Sequence, residues 1–145
     1  MAGKSHWFEG QLLNHIFRTT AFTQPTTLYV ALFTAAPTDD FVSGTPTGTE
    51  VTGGSYARLS LATLDADWTY TAGSGATAGK VDNANVLTWG TNPTAGWGNV
   101  THFAIVDAAS GNCNLLYYAA LSSSKTINSG DTVSFAAHAL TISED

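Results

Sequence analysis

The chain has 145 residues, of which five are Lys or Arg and eleven are Asp or Glu, and its formal net charge at pH 7 is −6. That length suits one domain, and a hydrophobic fraction of 43% excludes intrinsic disorder by composition. Five scattered basic residues cannot neutralise a phosphate backbone or hold an anionic membrane surface, so we expect no nucleic acid and no membrane as partners.

The first segment predicts an amphipathic helix over residues 5–18, with Ser5 as its N-cap. Its apolar side chains recur at spacings of one, three and four and therefore share one broad face; they are Trp7, Phe8, Leu12, Leu13, Ile16 and Phe17. Either the chain's own sheet or a neighbouring protein must cover this face. We expect residues 1–24 to form a helix and linker whose candidate interface anchors are Trp7, Phe8, Leu12, Ile16 and Phe17.

After Pro25 the apolar period changes to that of β-strands. The pattern predicts strands over residues 27–34, 56–64, 67–71, 84–89, 99–107, 114–121 and 131–142. Residues 27–34 are apolar at successive positions, which indicates a strand buried on both faces. The last segment changes parity, so we expect a bulge or bend near Ala136 to Ala139. Seven or eight strands separated by turns predict an all-β antiparallel sandwich, jelly-roll-like or immunoglobulin-like, over residues 25–145.

The residues that usually carry chemistry do not form a recognisable site in the sequence. The four histidines have no GxSxG nucleophile elbow beside them, and no His/Cys cluster has zinc spacing. The carboxylate pairs Asp39–Asp40 and Asp65–Asp67 are typical of solvated loops or strand edges. Cys113 has no second cysteine to pair with, which suits the reducing cytoplasm. We therefore expect no catalytic residue, no cofactor and no metal, and we do not expect an enzyme.

Aromatic residues are the remaining candidate for ligand binding. Trp68, Trp89 and Trp97 have polar neighbours in the sequence and could stack on sugar rings as a glycan platform. The structural alternative is that Trp89 and Trp97 close the ends of the sandwich, because aromatic side chains dominate small β cores. The glycan platform predicts that these rings are exposed, and the structural alternative predicts that they are buried.

Five blocks of sequence in this order carry a family resemblance: LLNHIF, LYVALFTAAPT, TEVTGGSYAR, WGNVTHFAIVDAASGNCNLLYYAAL and KTINSGDTVSFAAHALTI. Together they resemble a family of small tailed-bacteriophage virion proteins, described variously as tail fibre, head fibre or capsid decoration proteins. The resemblance covers residues 10–142, with a poorer fit over residues 65–85. It implies a structural protein of the virion that is assembled in the bacterial host cytoplasm.

Within that family we expect a capsid decoration or cement protein that binds and stabilises the major capsid shell. Single-domain size favours this role, because a fibre shaft would show a repeat or a long coiled coil. Two alternatives stay open: a tail fibre, baseplate or adaptor subunit, and a carbohydrate-binding module for host attachment. The expected partners are the major capsid protein or other virion proteins. We also expect a homo-oligomer, a dimer or a trimer, because virion proteins repeat by symmetry.

Overall fold

The computed structural model describes residues 3–39, 49–61, 63, 65–74, 78–90 and 92–144. Within them the chain forms one helix, α1 (His6–Phe17), and ten strands. The strands are β1 (Gly3–Lys4), β2 (Leu28–Phe33), β3 (Leu59–Leu61), β4 (Trp68–Thr71), β5 (Gly79–Asn83), β6 (Leu87–Thr88), β7 (Gly98–Val106), β8 (Leu115–Ile127), β9 (Ser134–Phe135) and β10 (Thr141–Glu144). The prediction of an all-β sandwich preceded by one N-terminal helix is confirmed.

The strands pair into three antiparallel sheets of unequal size. The largest has five strands in the order β1-β8-β7-β2-β3, and the others have the orders β10-β5-β4 and β6-β9. Val30 and Leu32 of β2 and Phe103 and Ile105 of β7 project from one face of the large sheet into the main core. Leu140, Ile142 and Trp89 are among the residues that meet them there. The main core is therefore the packing of apolar side chains between the large sheet and the two small ones.

The opposite face of the large sheet is also buried. Alternate residues of its strands form a second core together with Cys113, which precedes β8; the strand residues are Ala31, Phe33, Ala104, Val106 and Leu115. The chain that leaves β2 reaches the start of α1, where the carbonyl of Asp39 accepts a hydrogen bond from the His6 amide at 3.3 Å. Burial, together with the carboxylates of Asp39 and Glu9, raises the pKa of Tyr118, which packs against this core. β2 is thus buried on both faces, as the sequence predicts.

The start of α1 is built onto the edge of the large sheet. β1 pairs with β8, and the buried Ser5 that follows it donates its amide hydrogen to the Leu116 carbonyl at 3.0 Å. The hydroxyl of Ser5 donates to the Leu115 carbonyl and accepts from the Phe8 amide, 3.2 Å away. Ser5 is therefore the predicted N-cap, and the same side chain ties the helix to β8.

The C-terminal strands differ from the sequence prediction because of one buried side-chain amide, that of Asn83. The Asn83 side chain donates to the carbonyls of Asn85 (2.7 Å) and Ala136 (2.8 Å), and it accepts from the Leu140 amide at 2.8 Å. These bonds hold a turn that separates β9 from β10, where one strand over residues 131–142 was expected with a bend near Ala136–Ala139. The bend is confirmed, and it ends the strand. β5, which carries Asn83, has no counterpart among the predicted strands.

A tight turn at Gly53–Gly54 supports the main core. The Gly54 carbonyl accepts from the Trp97 indole N–H and from the Thr94 amide, both at 3.0 Å. Gly54 has φ +55°, and a Cβ placed there would lie 2.6 Å from the backbone oxygen of Ala95. Gly53 has φ +73°, but nothing lies within 4 Å of its Cβ position.

Alanine substitutions at Gly53 and Gly54 distinguish the cost of backbone strain from the cost of steric overlap. We expect Gly53→Ala to lower the free energy of unfolding by about 1 kcal/mol, the cost of a left-handed conformation. We expect Gly54→Ala to cost about 1–3 kcal/mol more, because the Ala95 backbone must also move. Urea denaturation followed by tryptophan fluorescence measures both values. Equal losses in the two variants would contradict the proposed overlap at Gly54.

Candidate functional site

The first half of α1 packs on the chain's own sandwich. Phe8 is 7% exposed, and its ring packs edge-on against Phe22 (centroids 5.5 Å apart) and Tyr117 (5.2 Å). Trp7 and Leu12 are partly buried and also pack against the main core. Three of the five candidate interface anchors, Trp7, Phe8 and Leu12, therefore have an intramolecular role.

From Leu13 onwards, α1 leaves its apolar side chains in solvent. Leu13, Ile16 and Phe17 are 57%, 66% and 77% exposed, and their spacing of three and four places them together. We call these three residues the helix patch. Exposed contiguous apolar side chains are typical of interaction surfaces. Ile16 and Phe17 are the remaining predicted anchors, whereas Leu13 was not among them.

The indole rings of Trp89 and Trp97 do not form a glycan platform. They are 5% and 4% exposed, and their N–H groups donate to the carbonyls of Ala57 (2.9 Å) and Gly54 (3.0 Å). Both are therefore core residues, as the structural alternative predicts, and the glycan platform of Trp68, Trp89 and Trp97 is wrong for these two rings. Trp68 is only partly buried, and it lies with Tyr70 at a different place, the pocket described next.

A cavity of about 440 Å³ opens between the five-stranded and three-stranded sheets. We call it the inter-sheet pocket. Its walls are mainly aliphatic and aromatic, and they include Leu28, Trp68, Tyr70, Val81, Leu116 and Ile142. The Tyr117 hydroxyl donates to Glu144 at 2.6 Å, and Lys4 forms an ion pair with the same carboxylate. Burial and the Glu144 carboxylate raise the pKa of Tyr117, so its phenol remains a neutral hydrogen-bond donor.

A second polar cluster joins β5 to the turn before β10. Nδ1 of His138 lies 2.6 Å from Asp82 Oδ1, and Nζ of Lys80 lies 3.2 Å from Asp82 Oδ2. The hydrogen bond from His138, followed by the Lys80 contacts, lowers the pKa of the buried Asp82 carboxyl. His138 has φ +63°, so the contact accompanies an unusual backbone conformation that the turn requires. We interpret the cluster as a structural lock for this turn.

The other histidines are in separate places. His6 contacts Asp39 (3.2 Å), Nδ1 of His15 accepts from the Phe22 amide, and His102 contacts Thr101 (2.8 Å). Among the residues described, no group of three or more His, Cys, Asp or Glu side chains is arranged to hold a metal ion. Asp40, the second residue of the Asp39–Asp40 pair, lies outside the described residues. In the same residues no helix is long and apolar enough to cross a membrane.

Residues 3–143 match the family model described as podophage GP4 fiber I protein gp80. The chain belongs to this podophage fibre family. The match spans nearly the whole sandwich and the helix, and it confirms the resemblance to virion structural proteins of tailed phages. No curated protein matches the chain.

In this fibre-family chain, alanine substitutions near the two ends of α1 should change the stability by different amounts. We expect Phe8→Ala to lower the free energy of unfolding by about 3–5 kcal/mol, because it removes a buried ring. Phe17→Ala should change it by no more than about 0.5 kcal/mol, because that ring is solvated. Urea denaturation of the purified protein measures both. A large loss for Phe17→Ala would show that the helix patch is part of the core.

The Asp82 cluster predicts an acid-dependent loss of stability. Because folding lowers the pKa of Asp82, the folded state binds fewer protons there, and the contribution is present above the ordinary carboxyl pKa of about 3.9. It is lost as the pH falls through the lower folded value. We expect the urea midpoint of Asp82→Asn to fall less than that of the wild type between about pH 5 and pH 2. Asp67→Asn, which removes a partly exposed carboxylate beside β4 and outside this cluster, is the matched control.

Proposed function

We propose that the protein is a structural, non-enzymatic fibre subunit on the surface of a podophage virion. The family match over residues 3–143, to a protein described as a fibre protein, carries this proposal. The geometry supports it, because the sandwich is complete on its own while the helix patch stays exposed. A subunit that must join other virion components needs such a surface outside its own core.

The helix patch is the surface that we propose for attachment. Leu13, Ile16 and Phe17 project from the half of α1 that is not packed on the sandwich, so they can be covered without unfolding the subunit. After Glu9 the helix carries no acidic residue, and Arg18 follows directly. Docking of this face therefore buries little unpaired charge, which is the main cost of forming such a contact.

A capsid decoration protein is the second candidate. Its support is the shape of the described chain, a single sandwich with a 12-residue helix of about 18 Å. A globular unit of this kind can bind between major capsid subunits and add buried area to the shell. Fibre and decoration roles share the virion surface, and they differ in the number of copies that the particle contains.

Copy number per purified virion separates the two roles. We expect quantitative mass spectrometry against the major capsid protein to give roughly a few to a few dozen copies, as for an appendage at a symmetry axis. Roughly hundreds of copies in fixed ratio to capsid subunits would overturn the fibre role and establish decoration. Absence of the protein from purified virions would contradict both.

Incorporation of patch variants tests the attachment surface. We expect Phe17→Asp combined with Ile16→Asp to give a folded protein that is lost from virions, because two charges replace the apolar contact. Val86→Asp is the matched control, since Val86 is also apolar and 59% exposed but lies outside α1. Unchanged incorporation of the double variant, by immunoblot of purified particles, would exclude the helix patch as the attachment surface.

A further inference from the structure

The inter-sheet pocket is an open cleft with an exposed aromatic ring at its mouth. Trp68 and Tyr70 are two residues apart on β4, so their side chains project from the same face of the three-stranded sheet. Trp68 is partly buried, whereas Tyr70 is 72% exposed. An aromatic ring that stays in solvent beside a cleft of about 440 Å³ with mainly apolar walls is typical of a binding site.

Gly79 leaves a gap in the wall of this pocket between two groups that form hydrogen bonds. β5 lies between β4 and β10, and in the register of the sheet Gly79 is directly opposite Glu144 of β10. On the β4 side, the hydroxyl of Tyr70 lies 4.0 Å from the position that a Cβ at Gly79 would take. A phenol and a carboxylate therefore flank the same gap, and all three residues line the pocket.

The carboxylate of Glu144 is held in place and still has capacity to accept hydrogen bonds. One of its oxygens accepts from the Tyr117 hydroxyl at 2.6 Å, and the other pairs with Lys4. A carboxylate has about four acceptor positions, so these two contacts orient the group and leave about two positions for a ligand. The Glu144 side chain is 43% exposed, so a ligand can reach it. The hydroxyl of Tyr70 can both donate and accept.

A sugar ring fits this combination of groups better than an apolar side chain does. A pyranose has an apolar C–H surface that packs on an aromatic ring, and around its edge it carries hydroxyls that both donate and accept hydrogen bonds. An apolar side chain would cover Glu144 and the Tyr70 hydroxyl without bonding them, which costs free energy because these groups lose their water. The pocket therefore favours a ligand with one apolar surface and a rim of hydroxyls.

The charges near the pocket favour a neutral sugar. Glu144 is compensated by Lys4 in one ion pair. Lys80 and Asp82 alternate with Gly79 along β5, so their side chains project from the other face of the sheet, where they pair with each other at 3.2 Å. No uncompensated cation among the described residues of the pocket is thus left for an acidic ligand, and the net charge of −6 repels one.

We propose that the inter-sheet pocket binds a neutral pyranose sugar. The C–H surface of the ring packs on Tyr70 and on the apolar wall that includes Trp68. Hydroxyls at its edge occupy the gap over Gly79, where they donate to Glu144 and bond the Tyr70 hydroxyl. Of the three tryptophans in the glycan platform predicted from the sequence, this site includes Trp68. Sugar binding goes beyond the fibre role and does not depend on it, because the pocket and the helix patch share no residue.

NMR titration of the purified protein with the methyl glycosides of glucose, galactose and mannose tests the site. We expect the wild type to bind at least one of them with a dissociation constant of about 1 mM, and Tyr70→Ala to raise that constant at least about tenfold. Gly79→Val should abolish binding, because its side chain fills the gap. It should still fold, since valine suits a strand and the nearest contact of a Cβ there is an ordinary 3.5 Å. Val86→Ala, at an exposed apolar residue outside the pocket, is the control and should bind as the wild type does.

Methyl glucuronide is the second probe, because it has the ring of the glucoside and adds a carboxylate. We expect it to bind more weakly than the methyl glycoside that the wild type prefers. The proposal is overturned if none of the three neutral glycosides binds or if the glucuronide binds most tightly. It is also overturned if Gly79→Val binds as the wild type does while circular dichroism shows it folded. None of these results changes the copy number in virions, so failure of sugar binding is distinguishable from failure of the fibre role.

Discussion

The buried guanidinium of Arg58 holds together segments that are far apart in the chain. Its Nε and Nη2 donate to the two carboxylate oxygens of Glu50 at 2.8 and 2.9 Å, and its remaining bonds go to the carbonyls of Ala108 (2.9 Å) and Gly111 (3.0 Å). Pairing with Glu50 raises the Arg58 pKa, so the cation is permanent. Removing one partner of a buried pair costs about 3–5 kcal/mol, because the other charge is left unpaired. This one side chain fixes the β2–β3 connection against the β7–β8 turn, beside the second core.

The sandwich that Arg58 helps to hold together leaves part of its apolar surface exposed. Both faces of the large sheet are covered, and Ser5 and Phe8 fasten the start of the helix to β8. What remains is an apolar helix end in solvent and an apolar opening between the sheets. The helix end is the surface that we propose for attachment to the virion.

The elements that the sequence predicts well are those with strong local periodicity, namely α1, β2 and β7. The start of β8 is also predicted, but the strand continues to Ile127, beyond the predicted end at residue 121. β5 was missed because Lys80, Asp82 and Asn83 are weak strand formers, and pairing with β4 and β10 on both sides makes it a strand. For Trp89 and Trp97 the sequence left a glycan platform and a core role open, and packing with distant segments of the chain decides for the core. The sequence predicts the residues of the helix patch only as part of one wide apolar face, without showing which part of that face is exposed. The inter-sheet pocket is lined by residues of six strands that are far apart in the chain, so no local pattern in the sequence predicts it.

Cys113 has a consequence for how the protein survives outside the cell. Its thiol is buried in the second core, and burial raises the pKa of Cys113 to about 11. At neutral pH only roughly one thiol in ten thousand is then ionised, and the thiolate is the form that oxidants and disulfides react with. A phage particle moves from a reducing cytoplasm to an oxidising medium when its host lyses. Burial of the sulfur and the scarcity of its thiolate both disfavour oxidation of Cys113 and its cross-linking to another chain in that medium.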